Sequence, residues 1–291
     1  MFEGAYTAIV TPFKNGKLDE ETLKSLIDWQ INSGITGIIP CGTTGESPTL
    51  SYEEHKRVID LTVSHVNGRV KVIAGAGSNC TSEAIELAQH AKDAGADAAL
   101  VITPYYNKPT QKGLFMHFET IAEEVDIPII LYNVPGRTGV DLQTDTICEL
   151  SEIPGIVAIK EASGSVIKVC EIVERTNLTV LSGEDALNYP LMTVGAKGVI
   201  SVLSNVVPDL VSKMVDLTLK GEYPGAFAIH QTIFNLSKKL FLETNPIPVK
   251  AALAMMGKIS EELRLPLCLM SDDKKEILAK ELIKLGIIKN N

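Results

Sequence analysis

The chain has 291 residues, of which 45% are hydrophobic and 22% charged. That is enough apolar material for a substantial buried core, and it excludes a disordered chain. Net charge is −9, only five of the 27 basic residues are arginine, and no uncharged apolar run approaches ~20 residues, which argues against nucleic acid, anionic lipid and a bilayer span.

Met1-Phe2-Glu3-Gly4 has neither the basic nor the apolar region of a secretory leader, so a cytoplasmic location is expected. Val/Ile-rich runs at 5–10, 37–40, 70–74, 98–103, 127–133, 156–160, 179–182 and 198–202 predict eight strands. Most are continuously apolar rather than alternating, as parallel strands under a layer of helices are. Asp19-Glu20-Glu21 opens a helix with Leu23, Leu26, Ile27 and Ile31 on one face. Ser51 and Glu54 form a capping box for the next. A third carries Ala84, Leu87, Ala88 and Ala91 on one stripe and stops at Gly95. Gly34, Gly95 and Gly195 each precede a strand by three residues, a weak repeat in which a left-handed glycine ends a helix before a short turn.

This alternation predicts an α/β fold, a (β/α)8 TIM barrel over residues 1–222. Residues 223–291 contain no strand-like run and predict a C-terminal helical appendage. Asn245-Pro246-Ile247-Pro248 breaks it, and Ser271-Asp272-Asp273 caps its last helix. A doubly wound sheet is the alternative, weakened because no G-x-G-x-x-G follows any strand.

In such a barrel, chemistry belongs at the carboxyl ends of the strands. Lys160 ends the sixth. Either its stem packs on apolar neighbours with the ammonium in solvent, or it is a desolvated amine able to form a Schiff base with a ketone. Tyr132 ends the fifth, as core or as a proton-relaying phenol. Arg137, in a Pro-Gly loop, is either a surface ion-pair partner or a forked clamp for a carboxylate. Cys41-Gly42-Thr43-Thr44-Gly45-Glu46 is either an ordinary glycine-rich turn or a set of N–H groups facing an anion. Tyr105-Tyr106 suggest an interface or a substrate contact. Cys41, Cys80, Cys148, Cys170 and Cys268 read as reduced thiols, mostly core fillers. His55, His65, His90, His117 and His230 are dispersed and form no metal-ligand motif, so no metal is expected.

Three segments taken together, Gly42-Thr43-Thr44-Gly45-Glu46, Tyr132-Asn133-Val134-Pro135-Gly136-Arg137-Thr138 and Lys160-Glu161-Ala162-Ser163-Gly164, are specific. The chain resembles the pyruvate-dependent class I aldolases of the dihydrodipicolinate synthase and N-acetylneuraminate lyase family. The resemblance implies a lyase that condenses pyruvate with L-aspartate 4-semialdehyde to 4-hydroxy-tetrahydrodipicolinate, on the route to diaminopimelate and lysine. It implies no cofactor beyond a covalent Schiff base of pyruvate on Lys160. It also implies a relay of Thr44, Tyr132 and Tyr106, the last from a neighbouring subunit of a homotetramer built as a dimer of dimers. Thr43 and Thr44 would hold the pyruvate carboxylate and Arg137 that of the semialdehyde, with backbone carbonyls near Gly183 and Ile200 lining the site.

Positions matching a family site for inhibitory lysine are Ser47, Pro48, Tyr52, His55, Asn79, Glu83 and Tyr105. Pro48 and Tyr52 replace the small residue and the histidine of the sensitive pattern, so weak or absent lysine inhibition is expected. The rival readings are a pyruvate aldolase for a sugar acid, which Arg137 disfavours, and a non-catalytic barrel binding a small acid, which has no need of a nucleophile.

Overall fold

A computed structural model describes residues 2–290. Eight parallel strands close into a barrel: β1 (Gly4–Ala8), β2 (Gly37–Ile39), β3 (Lys71–Gly75), β4 (Ala98–Ile102), β5 (Ile129–Asn133), β6 (Ile156–Glu161), β7 (Thr179–Ser182) and β8 (Gly198–Ser201). β8 pairs with β1, Tyr6 against Ile200, which completes the cylinder and leaves the barrel sheet without an open edge. All eight runs read from the sequence form these strands, so the doubly wound alternative is set aside.

The helices of the outer layer are α1 (Glu20–Asn32), α2 (Tyr52–Val66), α3 (Thr81–Ala94), α4 (Gln111–Glu124), α5 (Thr144–Ser151), α6 (Val166–Arg175), α7 (Asn188–Thr193) and α8 (Pro208–Leu219). Their starts follow side-chain chemistry. Asp19 accepts from the Thr22 N–H, and Ser51 and Glu54 cap reciprocally. Gly34, Gly95 and Gly195 lie at φ +87°, +89° and +117°, where a Cβ would strain the turn.

Apolar side chains divide into two bodies. The larger lies between strands and helices and continues into the tail, through Leu236, Val249, Leu253 and Leu278. The smaller fills the barrel lumen with Tyr6, Ile39, Ile73, Leu100, Ile130, Tyr132, Ala158, Leu181 and Ile200. Continuously apolar strands are thus explained by two buried faces.

Three further helices follow the barrel: α9 (Tyr223–Lys239), α10 (Ile247–Met255) and α11 (Asp272–Lys284). α10 is almost wholly buried. Ser271 stands at the N-cap of α11, but its hydroxyl donates to Glu243 Oε1 at 2.6 Å and caps nothing. The expected hydroxyl cap is therefore corrected: a carboxylate on the preceding segment competes for it.

A short hairpin, Phe13–Lys14 with Lys17–Leu18, was not among the expected strands. Its Asn15-Gly16 turn has both φ angles positive (+54° and +74°), and an Asn-Gly pair is a strong hairpin signal. The cysteines also differ from expectation. All five are free, but only Cys41 is buried, whereas Cys80, Cys170 and Cys268 are exposed. Cys148 and Cys170 lie on helices, whereas Cys80 and Cys268 lie in connecting segments. Among the described residues no helix is long and apolar enough to cross a membrane.

Candidate active site

On β6 the residues Ala158 and Lys160 alternate onto the lumen face, while Glu161 points the other way. Lys160 is only 6% exposed, which removes the solvent-reaching alternative. Its Nζ lies 4.0 Å from the centre of the Tyr132 ring, and the two residues are register partners on neighbouring strands. A Cβ at Gly183, just past β7, would stand 2.8 Å from Lys160 Cε and 2.7 Å from Ala162 Cβ. Glycine there leaves the lysine stem its room.

Behind the lysine, Glu161 accepts from Asn133 Nδ2 at 2.9 Å and from the Ser163 N–H at 2.6 Å, which ties the ends of β5 and β6 together. On the β7–β8 side, buried Asp185 accepts from Ser201 Oγ, Asn188 Nδ2 and the N–H groups of Val202 and Leu203. Burial pushes its carboxyl up, against the pull of these four donors. The network fixes the chain just after Ile200. Burial also raises the carboxyl of Glu184, and the nearby Asp185 adds to it.

The β2 loop brings Thr43 and Thr44 to the same end. Cys41 and Glu46 both sit at positive φ, +55° and +54°, and the loop closes on itself through Gly45, Glu46 and Ser47 N–H groups. Among the described residues, the Thr43 and Thr44 N–H groups donate to no protein acceptor. Thr44 is buried and its Oγ1 accepts from Asn245 Nδ2 at 3.0 Å. Glu46 anchors the loop from below: its carboxylate pairs with fully buried Lys250 on α10 at 2.5 Å and accepts from the Arg264 N–H.

Arg137 lies on a one-turn helix after β5, exposed, with Nη2 donating to the Asn245 carbonyl at 3.3 Å. Among the described residues it has no carboxylate partner, so the ion-pair reading fails and its remaining donors are free. A cavity of about 400 Å³ opens beside it. Thr43, Tyr132, Arg137 and Thr138 line it, and so do Ser47, Pro48, Tyr52, His55, Glu83 and Tyr105. The two sets of positions that the sequence treats as separate sites therefore share one cavity wall.

Asn79 stands beside that cavity and donates Nδ2 to the Tyr105 carbonyl at 3.1 Å. His55 Nε2 lies 2.8 Å from the Gly75 carbonyl, and burial holds its imidazole below the ordinary range. Ser78 Oγ donates to Glu83 at 2.6 Å. Burial and the Glu83 carboxylate push the Tyr52 phenol up to about 12. Tyr106 is not brought to this cavity by its own chain: it is 89% exposed, at φ +74°. Among the described residues no three His, Cys, Asp or Glu side chains gather as metal ligands.

Asn245, Asp185 and the Glu46–Lys250 pair escaped the sequence reading. Asn245 carries one signal, its place in the Asn-Pro-Ile-Pro break, which by itself marks only a break between helices.

Residues 1–285 match the Dihydrodipicolinate synthetase family. The chain belongs to that family. A 4-hydroxy-tetrahydrodipicolinate synthase of Methanocaldococcus jannaschii is 54% identical over 289 residues, covering 99% of this chain and all of the relative. A crystal structure of dihydrodipicolinate synthase from Aquifex aeolicus superposes with a TM-score of 0.97 at 50% identity, over 99% of this chain and 100% of that one. Another solved structure, described as a monomeric dihydrodipicolinate synthase variant, gives the same TM-score at 42% identity over 99% and 98% of the two chains.

Proposed function

We propose that this family member condenses pyruvate with L-aspartate 4-semialdehyde, giving 4-hydroxy-tetrahydrodipicolinate on the lysine route, through a Schiff base on Lys160. The observation that carries the reading is the buried lysine amine, seated over the Tyr132 ring at the carboxyl end of a closed barrel. Uncharged Lys160 attacks the ketone of pyruvate, and loss of water leaves an iminium. The iminium draws electrons from the adjacent methyl group, so a methyl proton leaves and an enamine forms. The enamine carbon attacks the aldehyde of the second substrate, whose oxygen takes up a proton. The amine of that substrate then adds to the iminium carbon and displaces Lys160. The electron sink is the iminium itself, so the cycle calls on no bound metal or organic cofactor.

Loss of the methyl proton and protonation of the aldol oxygen each move a proton, and hydroxyl groups of Thr44, Tyr132 and Tyr106 form the relay for these steps. Thr43 and Thr44, whose N–H groups are unused within the chain, hold the pyruvate carboxylate. Arg137 forks onto the carboxylate of the semialdehyde. Gly183 and Ile200 line the site beside the lysine. The catalytic barrel spans 1–222 and the helical domain 223–291. Exposed Tyr106 completes a neighbour's site, in a homotetramer of two dimers, and the enzyme works in the cytoplasm.

Lysine is a weak inhibitor or none. Pro48 offers no backbone donor, and Ser78 already engages the Glu83 carboxylate that an incoming ammonium would need. Half-inhibition at sub-millimolar lysine would contradict this part of the reading.

Substrate choice is tested by offering both aldol partners. Turnover of pyruvate with the semialdehyde, and no release of pyruvate from N-acetylneuraminate, is the expected result. Cleavage of the sugar acid without turnover of the semialdehyde would overturn it.

A further inference from the structure

Asn245 comes from the segment between α9 and α10, 201 residues away from the loop that it touches. It is buried, and it makes two contacts with residues of the proposed site. The side-chain Nδ2 donates to Thr44 Oγ1 at 3.0 Å, and the main-chain carbonyl accepts from Arg137 Nη2 at 3.3 Å. Its own Oδ1 is buried with no hydrogen-bond partner. A buried orphan acceptor costs about 1–3 kcal/mol, so an amide held only to stabilise the fold would be satisfied at both ends.

The consequence lies in the inventory of a hydroxyl, which has one proton to donate and two lone pairs to accept with. When an N–H occupies one lone pair of Thr44 Oγ1, the Thr44 proton must point to some other acceptor. We propose that Asn245 is a positioning residue that fixes the direction of the hydroxyl relay, holding the Thr44 proton away from itself and toward the reacting groups. This rests on the reading of Thr44 as a relay member. The anchorage for it is strong, since Lys250, on the first turn of the helix that follows, is locked to Glu46 in the same loop as Thr44.

Asn245→Asp is nearly isosteric and leaves only acceptors at that place, so the Thr44 proton would turn back to the carboxylate. Asn245→Ala removes the donor without adding charge and keeps the main-chain contact to Arg137. Two half-reactions are read: the pyruvate adduct trapped with borohydride, and the exchange of pyruvate methyl protons with D2O, followed by NMR without the second substrate. In both variants the trapped adduct stays within about twofold, whereas methyl exchange and kcat fall by about tenfold or more, the scale of a lost proton-transfer group. In the alanine variant the KM for the semialdehyde stays within about twofold.

A purely structural role would weaken adduct, exchange and KM together. Repeating the substitutions on Thr44→Val separates the cases, because residues acting through one another are non-additive. Asn245→Asp should then change exchange by less than about twofold. Wild-type exchange rates in both Asn245 variants, or the same loss with and without Thr44, would overturn the proposal while leaving the relay intact. If Thr44→Val itself leaves exchange untouched, the relay reading fails first, and this inference falls with it.

Discussion

Lys160 and Tyr132 are partners in the parallel register of β5 and β6, and the lysine Nζ is capped by the tyrosine ring, 4.0 Å from its centre. The ring and the phenol therefore have separable duties. Tyr132→Phe keeps the ring surface and should keep adduct formation with pyruvate, while kcat falls by about a hundredfold for want of the phenol proton. Tyr132→Leu removes both, and adduct formation should slow as well. Rapid-quench borohydride trapping beside steady-state rates checks the split, and equal losses from both substitutions would count against it.

Tyr106 is 89% exposed, so its own fold has no use for it. Tyr106→Phe should leave the thermal midpoint unchanged and lower kcat. Mixed refolding with Lys160→Ala subunits tests the shared site, because in a mixed dimer one site regains an intact lysine and an intact tyrosine. An equal mixture should recover about a quarter of wild-type activity, as a two-fold dimer with random pairing requires. No recovery, with mixed dimers confirmed by native mass spectrometry, would place Tyr106 outside the neighbour's chemistry.

Glu46 and Lys250 form a fully buried pair between the catalytic loop and α10. Removing either charge strands the other: Glu46→Gln or Lys250→Met should each cost about 3–5 kcal/mol in urea unfolding. The double variant should recover much of that loss. Single variants as stable as the parent would show that the tail does not hold the loop.

His117 is buried where α4 packs on α3, with Nδ1 3.0 Å from Thr81 Oγ1, and burial pushes its pKa down to about 4. The unfolded chain takes up the proton near its ordinary value of 6.5. The neutral ring's contribution is thus complete above about 6.5 and is lost as pH falls toward about 4, up to about 3 kcal/mol. Chemical unfolding between those values should show this slope, and His117→Gln should flatten it. An unchanged slope in the variant would assign the acid sensitivity elsewhere.

Much of this site is written locally. Strand period and position are enough to put Lys160, Tyr132 and the Thr43–Thr44 loop at one end of a barrel, because each ends an apolar run. The roles of Thr44 and Tyr106 came only with the family resemblance, since a threonine in a glycine-rich turn and an exposed tyrosine carry no periodic signal. Asn245 was invisible for a different reason. Its partners are remote in sequence, and only chain closure brings α10 under the β2 loop. The exposed cysteines show the same limit: composition suggests burial, but whether a helix position such as Cys170 or a loop position such as Cys268 faces outward is set by packing.

The central claim is that the Lys160 amine captures pyruvate. Incubation with pyruvate and borohydride, followed by peptide mass mapping, tests it most directly. A carboxyethyl group on Lys160 alone, dependent on pyruvate and absent from Lys160→Ala, is the result expected. A pyruvate-dependent label on another lysine, such as buried Lys250, or no label on an active enzyme, would contradict it.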